Sequence, residues 1–178
     1  MITRFLLTFV ISLLLANTAL AQRDYLTPQE VDLVKEAQIL DKRIDVFIRA
    51  AERRLIVING SAAANAKQLK KDSERWGELP TGSRAELVSD IARIIDAAID
   101  NIDDVSMHDE RNPLIAKSLR KLAASVTSIM TQLKPLSAQA KGEAEIASFE
   151  QLNEGVQSIT EATAKLPPEV EKKAKNKN

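Results

Sequence analysis

The single histidine of this 178-residue chain is the first group that could do chemistry. His108 stands near Asp104, Asp109 and Glu110. Neighbouring carboxylates raise the pKa of an imidazole, so such a group could act as a general acid or bind a metal. Catalysis would also need a partnered nucleophile and a pocket, and no motif for either accompanies His108. We therefore predict an exposed histidine in a connection between helices, with no catalytic role.

Four aspartates form a second candidate, because their spacing puts them on one side of a helix: Asp96, Asp100, Asp103 and Asp104. Several carboxylate oxygens together could hold a hard divalent cation. However, the chain lacks the glycine-containing calcium loop and the Glu-x-x-His pairs of di-iron bundles. Salt contacts with basic helices would explain this acidic strip without a metal, so we predict no metal site.

Other reactive motifs are missing from the sequence. It has no cysteine, hence no C-x-x-C-H haem attachment, and no glycine-rich phosphate loop, HEXXH or serine nucleophile elbow. Its 25 basic and 25 acidic side chains balance, so no global charge attracts nucleic acid or an anionic membrane. We predict no enzyme, no cofactor and no catalytic, cofactor-binding or metal-binding residues.

The first 21 residues carry the pattern of a secretory signal peptide. Arg4 precedes an uncharged apolar run, and Ala19-Leu20-Ala21 is a typical cleavage site. The apolar run is shorter than the roughly 20 residues that a membrane span needs. We predict cleavage after Ala21, no stable membrane span thereafter, and an exported protein, periplasmic or extracellular. The absence of cysteine favours a bacterial envelope protein over a disulfide-rich secreted module.

Helical periodicity runs through the rest of the sequence. Thr27, Pro28 and Glu30 predict a capped helix start, and an apolar stripe then continues through Ile58. Asn59-Gly60 predicts a break, with an extra short helix around 61–76. Of the apolar residues at 55–58, we expect burial between helices rather than an exposed binding patch.

Three further helices follow. Ser83 and Glu86 predict the start of the second, and Asn112-Pro113 that of the third. The third has the most regular apolar seam and should end or kink at Pro135. The fourth starts near Glu143 or already within 137–140.

Taken together, the pattern predicts an all-α, up-and-down bundle of four principal amphipathic helices. The domain should span residues 22–166, followed by a disordered basic tail at 167–178. Successive helices alternate in charge, which predicts that they are antiparallel neighbours. In particular, Lys117, Arg120 and Lys121 should face the acidic strip.

The segment Leu26-Thr27-Pro28-Gln29-Glu30 resembles the LTxxQ-type segment of small helical periplasmic chaperones, with Glu30 where that family has glutamine. This resemblance covers five residues and implies a chaperone or stress protein that holds unfolded clients. The sequence as a whole favours an exported, non-enzymatic protein that binds a protein partner, self-associates or acts as a scaffold. The chaperone is the alternative.

Overall fold

Residues 23–167 fold as six helices in a computed structural model of the chain. They are α1 (Pro28–Glu36), α2 (Leu40–Ile58), α3 (Ala66–Trp76), α4 (Arg84–His108), α5 (Pro113–Ser137) and α6 (Glu143–Ala164). Residues 23–167 contain no strand, which confirms the all-α prediction. The predicted leader, its cleavage site after Ala21 and the tail beyond Pro167 lie outside the described residues.

Predicted capping residues begin three of these helices. The Thr27 hydroxyl accepts from the Glu30 N–H at 3.3 Å, and the Glu30 carboxylate accepts from the Thr27 N–H at 2.9 Å. Ser83 and Glu86 make the same reciprocal pair at the start of α4, and Asn112 caps α5. Each cap satisfies backbone donors that the first helical turn leaves free.

The predicted continuous helix from Pro28 to Ile58 is wrong, because residues 37–39 interrupt it. Ala37 forms an inverse γ-turn (φ −77°, ψ 81°), in which the Gln38 N–H donates to the Glu36 carbonyl at 2.9 Å. This turn folds α1 back along α2. The structure therefore has four long helices, α2, α4, α5 and α6, and two short ones. Of the short helices, α3 was predicted and α1 was not.

The other predicted boundaries are close to the observed ones. Asn59-Gly60 does end α2, with Gly60 in the left-handed region (φ +61°), and α3 lies inside the predicted range 61–76. Pro135 lies in the last turn of α5, which ends at Ser137. The last helix starts at Glu143, so the earlier of the two predicted starts is wrong.

One apolar core joins the four long helices. The predicted seam of α5 faces it, since Leu119, Leu122, Val126, Ile129 and Leu133 are all buried. A gap of only about 10 Å³ lies among central residues of α2, α4 and α5. Such close packing is typical of protein interiors. No helix within residues 23–167 is long and apolar enough to cross a bilayer.

The four long helices pack in a ring, in the order α2, α4, α6, α5, with α5 closing onto α2. Helix α2 is parallel to α5, because Asp41 pairs with Lys117 near their starts and Asn59 with Gln132 (3.3 Å) near their ends. Directions alternate along the chain as predicted. However, the consecutive helices α4 and α5 lie diagonally across the ring and touch only sparsely.

The predicted pairing of basic α5 with acidic α4 is therefore wrong. Lys117 and Lys121 bind Asp41 and Asp45 of α2, and Arg120 donates to the Pro167 carbonyl. The net-acidic helices α4 and α6 are parallel neighbours instead. Exposed ion pairs are worth only about 0 to 1 kcal/mol each, so apolar packing determines the neighbours.

Asp96 of α4 lies against Gly155 and Gln151 of α6. A Cβ at Gly155 of α6 would lie 3.3 Å from the Asp96 carboxylate, and Gln151 donates to that carboxylate at 3.1 Å. Burial raises the pKa of Asp96, the Gln151 hydrogen bond opposes the rise, and the charges of Asp100 and Glu154 add to it. The ionised carboxylate is thus disfavoured in the folded state.

We expect Asp96→Asn to stabilise the protein at pH 7. Because the pKa of Asp96 is raised on folding, the free energy of unfolding falls as pH rises through the ordinary and then the raised pKa. Asparagine does not ionise, so the free energy of unfolding no longer falls in this way, and its amide oxygen still accepts from Gln151. Urea unfolding from pH 3 to pH 7 should show an advantage that grows with pH, whereas the exposed control Asp103→Asn should show a smaller one. An equal advantage at both pH limits would contradict this linkage.

Candidate functional site

Four charged side chains lie buried together at one side of the bundle and form what we call the ionic cluster. Its members are Glu30 of α1, Arg53 and Arg54 of α2, and Asp90 of α4, which are 0%, 1%, 1% and 3% exposed. Charged side chains are almost never fully buried unless they are paired. Each member therefore needs partners within the fold.

Glu30 is the centre of the ionic cluster. One of its carboxylate oxygens accepts from Arg53 Nε at 3.2 Å and from Arg54 Nη1 at 2.7 Å, and the other accepts from the Thr27 N–H. The same carboxylate thus completes the α1 cap and neutralises two guanidinium groups. This places α1 at a fixed position against α2.

Arg53 connects the ionic cluster to the end of α3. Its Nη2 donates to the Trp76 carbonyl at 3.0 Å, to the Gly77 carbonyl at 3.2 Å and to the Glu78 carbonyl. Its guanidinium carbon lies 5.7 Å from the centre of the Trp76 ring. Free carbonyls at a helix C-terminus favour a cation, so this contact fixes where α3 ends.

Arg54 and Asp90 connect the ionic cluster to residues 23–27, which we call the strap. Arg54 Nη2 donates to the Tyr25 carbonyl at 2.6 Å, and Arg23 Nη2 donates to the Asp90 carboxylate at 3.0 Å. Arg93 donates to the Arg23 carbonyl at 2.8 Å and lies 4.6 Å from the Tyr25 ring centre. The strap is therefore held to α2 and α4 mainly by guanidinium contacts.

Burial raises the pKa of Asp90, and the positive charges of Arg23, Arg54 and Arg93 oppose that rise. The Nε of Arg54 has no hydrogen-bond acceptor and lies 3.9 Å from the Asp90 carboxylate. No nucleophile with an adjacent base takes part in these contacts. The arrangement is suited to holding segments in place, since its charges bind one another and the backbone of the segments around them.

An open groove of about 850 Å³ lies beside the ionic cluster, and we call it the strap groove. It is lined by the strap, α1 and residues 78–81. Its apolar lining consists of Leu26, Pro28, Val31, Leu79 and Pro80. Three acidic and three basic side chains also line it: Asp24, Asp32 and Glu78, and Arg23, Lys35 and Arg54. Arg23 and Arg54 pair with Asp90 and Glu30 of the ionic cluster, and Lys35 pairs with Asp32 at 3.5 Å. Within residues 23–167, Asp24 and Glu78 form no such pair. The groove thus combines an apolar lining with charges of both signs, of which the carboxylates of Asp24 and Glu78 are free to meet a basic group.

The residues that the sequence singled out for chemistry do not come together. The side chain of His108 is 77% exposed, and its Nδ1 lies 2.7 Å from the Asp104 carbonyl at the end of α4. Within residues 23–167, no three histidine or acidic side chains are close enough together to hold a metal ion. Asp96 contacts α6, while Asp100, Asp103 and Asp104 are exposed.

The apolar residues at 55–58 are mostly covered, with Leu55 buried and Ile56, Val57 and Ile58 half-buried. Sequence reasoning missed the ionic cluster, because it assigned Glu30 only to a helix cap. One signal was present. Glu52, Arg53 and Arg54 are three consecutive charged residues between the core residues Ala51 and Leu55, and Arg54 follows Phe47 by seven positions, which places it on the same apolar stripe.

Comparison of the chain with protein-family models, with curated proteins and with solved structures finds no match to any of the three.

Proposed function

We propose that this chain is an exported, non-enzymatic helical-bundle protein that binds a polypeptide partner in the bacterial cell envelope through the strap groove. The leader-like segment at 1–21 supports export. The single observation that supports binding is the groove itself, an open surface of mixed apolar and charged residues beside the buried ion pairs that hold α1. Preformed walls reduce the entropy that binding must overcome.

The lining suggests the chemistry of the partner. Leu26, Val31 and Leu79 would contact apolar side chains, while Asp24 and Glu78 would attract a basic one. An extended segment that carries both apolar and basic residues fits this surface best. Complementary charge then contributes more to specificity and association rate than to affinity.

Export has a direct test. Intact-mass measurement of the protein secreted by a bacterial host should give a chain that starts at Gln22. Retention of the full-length chain in the membrane would contradict the proposal.

Groove binding is tested separately, in the native host, with a photo-crosslinking residue in place of Leu79. We expect a discrete crosslinked protein that is lost when Asp24 and Glu78 are both changed to lysine. The matched control carries the crosslinker in place of Ser128, an exposed residue of α5. Products that are the same at both positions, or that survive the charge reversal, would exclude the strap groove as the binding surface.

A periplasmic chaperone is the second candidate, and one observation favours it. Thr27, Pro28 and Gln29, from the segment that resembles the LTxxQ type, line the strap groove. A chaperone of this kind should suppress aggregation of a denatured reporter at stoichiometric amounts. A protein that binds one specific partner would not suppress this aggregation.

A further inference from the structure

The junction between α1 and α2 bends without any residue that favours a bend. Ala37, Gln38 and Ile39 include no glycine, proline or asparagine, and alanine and glutamine are good helix formers. Leu33, Ala37, Leu40 and Ile44 also keep helical spacing across the junction. Locally, the sequence favours one continuous helix from Pro28 to Ile58.

The bend is also poorly supported where it occurs. Helix α2 starts at Leu40, and its N-cap residue Ile39 provides no side-chain cap, as at the starts of α3 and α6 and unlike those of α1, α4 and α5. Two side chains support the bend: Arg43 Nε donates to the Ala37 carbonyl at 2.9 Å, and Gln38 Nε2 donates to the Lys35 carbonyl. The bend leaves Ile39 55% exposed, although it is a large apolar residue. Contacts from elsewhere must therefore keep α1 folded back.

Those contacts are the ionic cluster and the strap. Only two residues of α1 are buried, Leu33 and Glu30, and Glu30 binds the arginines of α2. A second copy of the chain presents the same Arg53, Arg54 and Asp90. The surface that holds α1 is therefore equally available between copies, which is the condition for exchanging an identical element.

We propose that residues 37–39 are the hinge of a domain-swapped dimer, in which α1 and the strap of each copy dock on α2 and α4 of the other. In the dimer, α1 and α2 join into one helix from Pro28 to Ile58. Glu30 of one copy then binds Arg53 and Arg54 of the other, so each ionic cluster is completed by the second chain. Local helix preference and the ionic cluster are both satisfied in this state, whereas an opened monomer would leave two buried arginines without their carboxylate.

The test compares two substitutions at Ile39 after the purified protein is unfolded and refolded at high concentration. Ile39→Pro blocks a continuous helix, whereas the extended backbone observed there (φ −92°, ψ 130°) needs only a change of about 27° in φ to accept proline. Ile39→Ala removes the same exposed side chain and favours the helix. Light scattering after size exclusion should show a dimer for the original protein and for Ile39→Ala. For Ile39→Pro the dimerisation constant should fall roughly a hundredfold or more, given the cost of proline inside a helix.

A second variant and a second measurement guard against a failure to fold. Gln38→Gly weakens the continuous helix without the constraints of proline and should also reduce the dimer. In dimers refolded from isotopically light and heavy chains, amine crosslinks between Lys35 of α1 and the lysines of α3 should join light to heavy chains.

Three results would overturn the proposal. The first is a protein that stays monomeric under all refolding conditions. The second is a dimer lost in Ile39→Ala but kept in Ile39→Pro, which would indicate surface association through the Ile39 side chain. The third is crosslinking of α1 to α3 within single chains only.

Discussion

Glu30→Gln is expected to lower the free energy of unfolding by about 3 to 5 kcal/mol, the range for breaking a buried ion pair by removing one partner. Glutamine keeps the length of the side chain and can still complete the cap with Thr27. It removes the negative charge that Arg53 and Arg54 share, at 3.2 and 2.7 Å. Two positive charges then remain buried at 1% exposure without their main counter-ion.

The chain contains a matched control for this prediction. Glu86 completes the cap of α4 with Ser83 in the same way that Glu30 completes the cap of α1, but its side chain is 53% exposed. Glu86→Gln should therefore cost far less. Guanidinium unfolding of both variants, followed by circular dichroism, separates the burial of charge from the cap. Equal losses would show that the cap, and not the ionic cluster, holds α1.

Local signals in the sequence predicted several elements correctly. Thr27, Ser83 and Asn112 start helices because their side chains accept from backbone donors within the next three residues. Gly60 ends α2 because a residue with a positive φ does not continue a helix. The burial of Leu122 follows from its place on a regular apolar stripe. In each case the determining residues are close together in the chain.

The missed features depend on residues that are distant in the chain. Glu30 and Arg53 are 23 positions apart, and nothing local to either one shows that they meet. The bend at Ala37 opposes its own local preference and exists because distant contacts hold α1 back. The predicted order of the long helices was wrong for a related reason. Net charge suggested that α4 and α5 are neighbours, but exposed charges are worth too little to overrule the packing of apolar faces.

The α5 seam gives the second large prediction, a loss of about 2 to 5 kcal/mol in Leu122→Ala, the usual range for truncating a buried leucine. Leu122 is 2% exposed and packs with residues of α2 and α4, including Phe47 and Ile94, around a gap of only about 10 Å³. The neighbouring helices are already in close contact and cannot relax fully into the space that the truncation leaves. The cost therefore includes a cavity as well as the lost burial.

Leu136→Ala is the control, since Leu136 belongs to the same helix but is half-buried in its last turn. Chemical denaturation should show a clearly smaller loss for this variant, with similar slopes against denaturant for both, as expected if unfolding stays two-state. A loss below about 1 kcal/mol for Leu122→Ala would be typical of a surface substitution. That result would mean that the apolar seam of α5 does not face the core, and the ring order of the four long helices would fail with it.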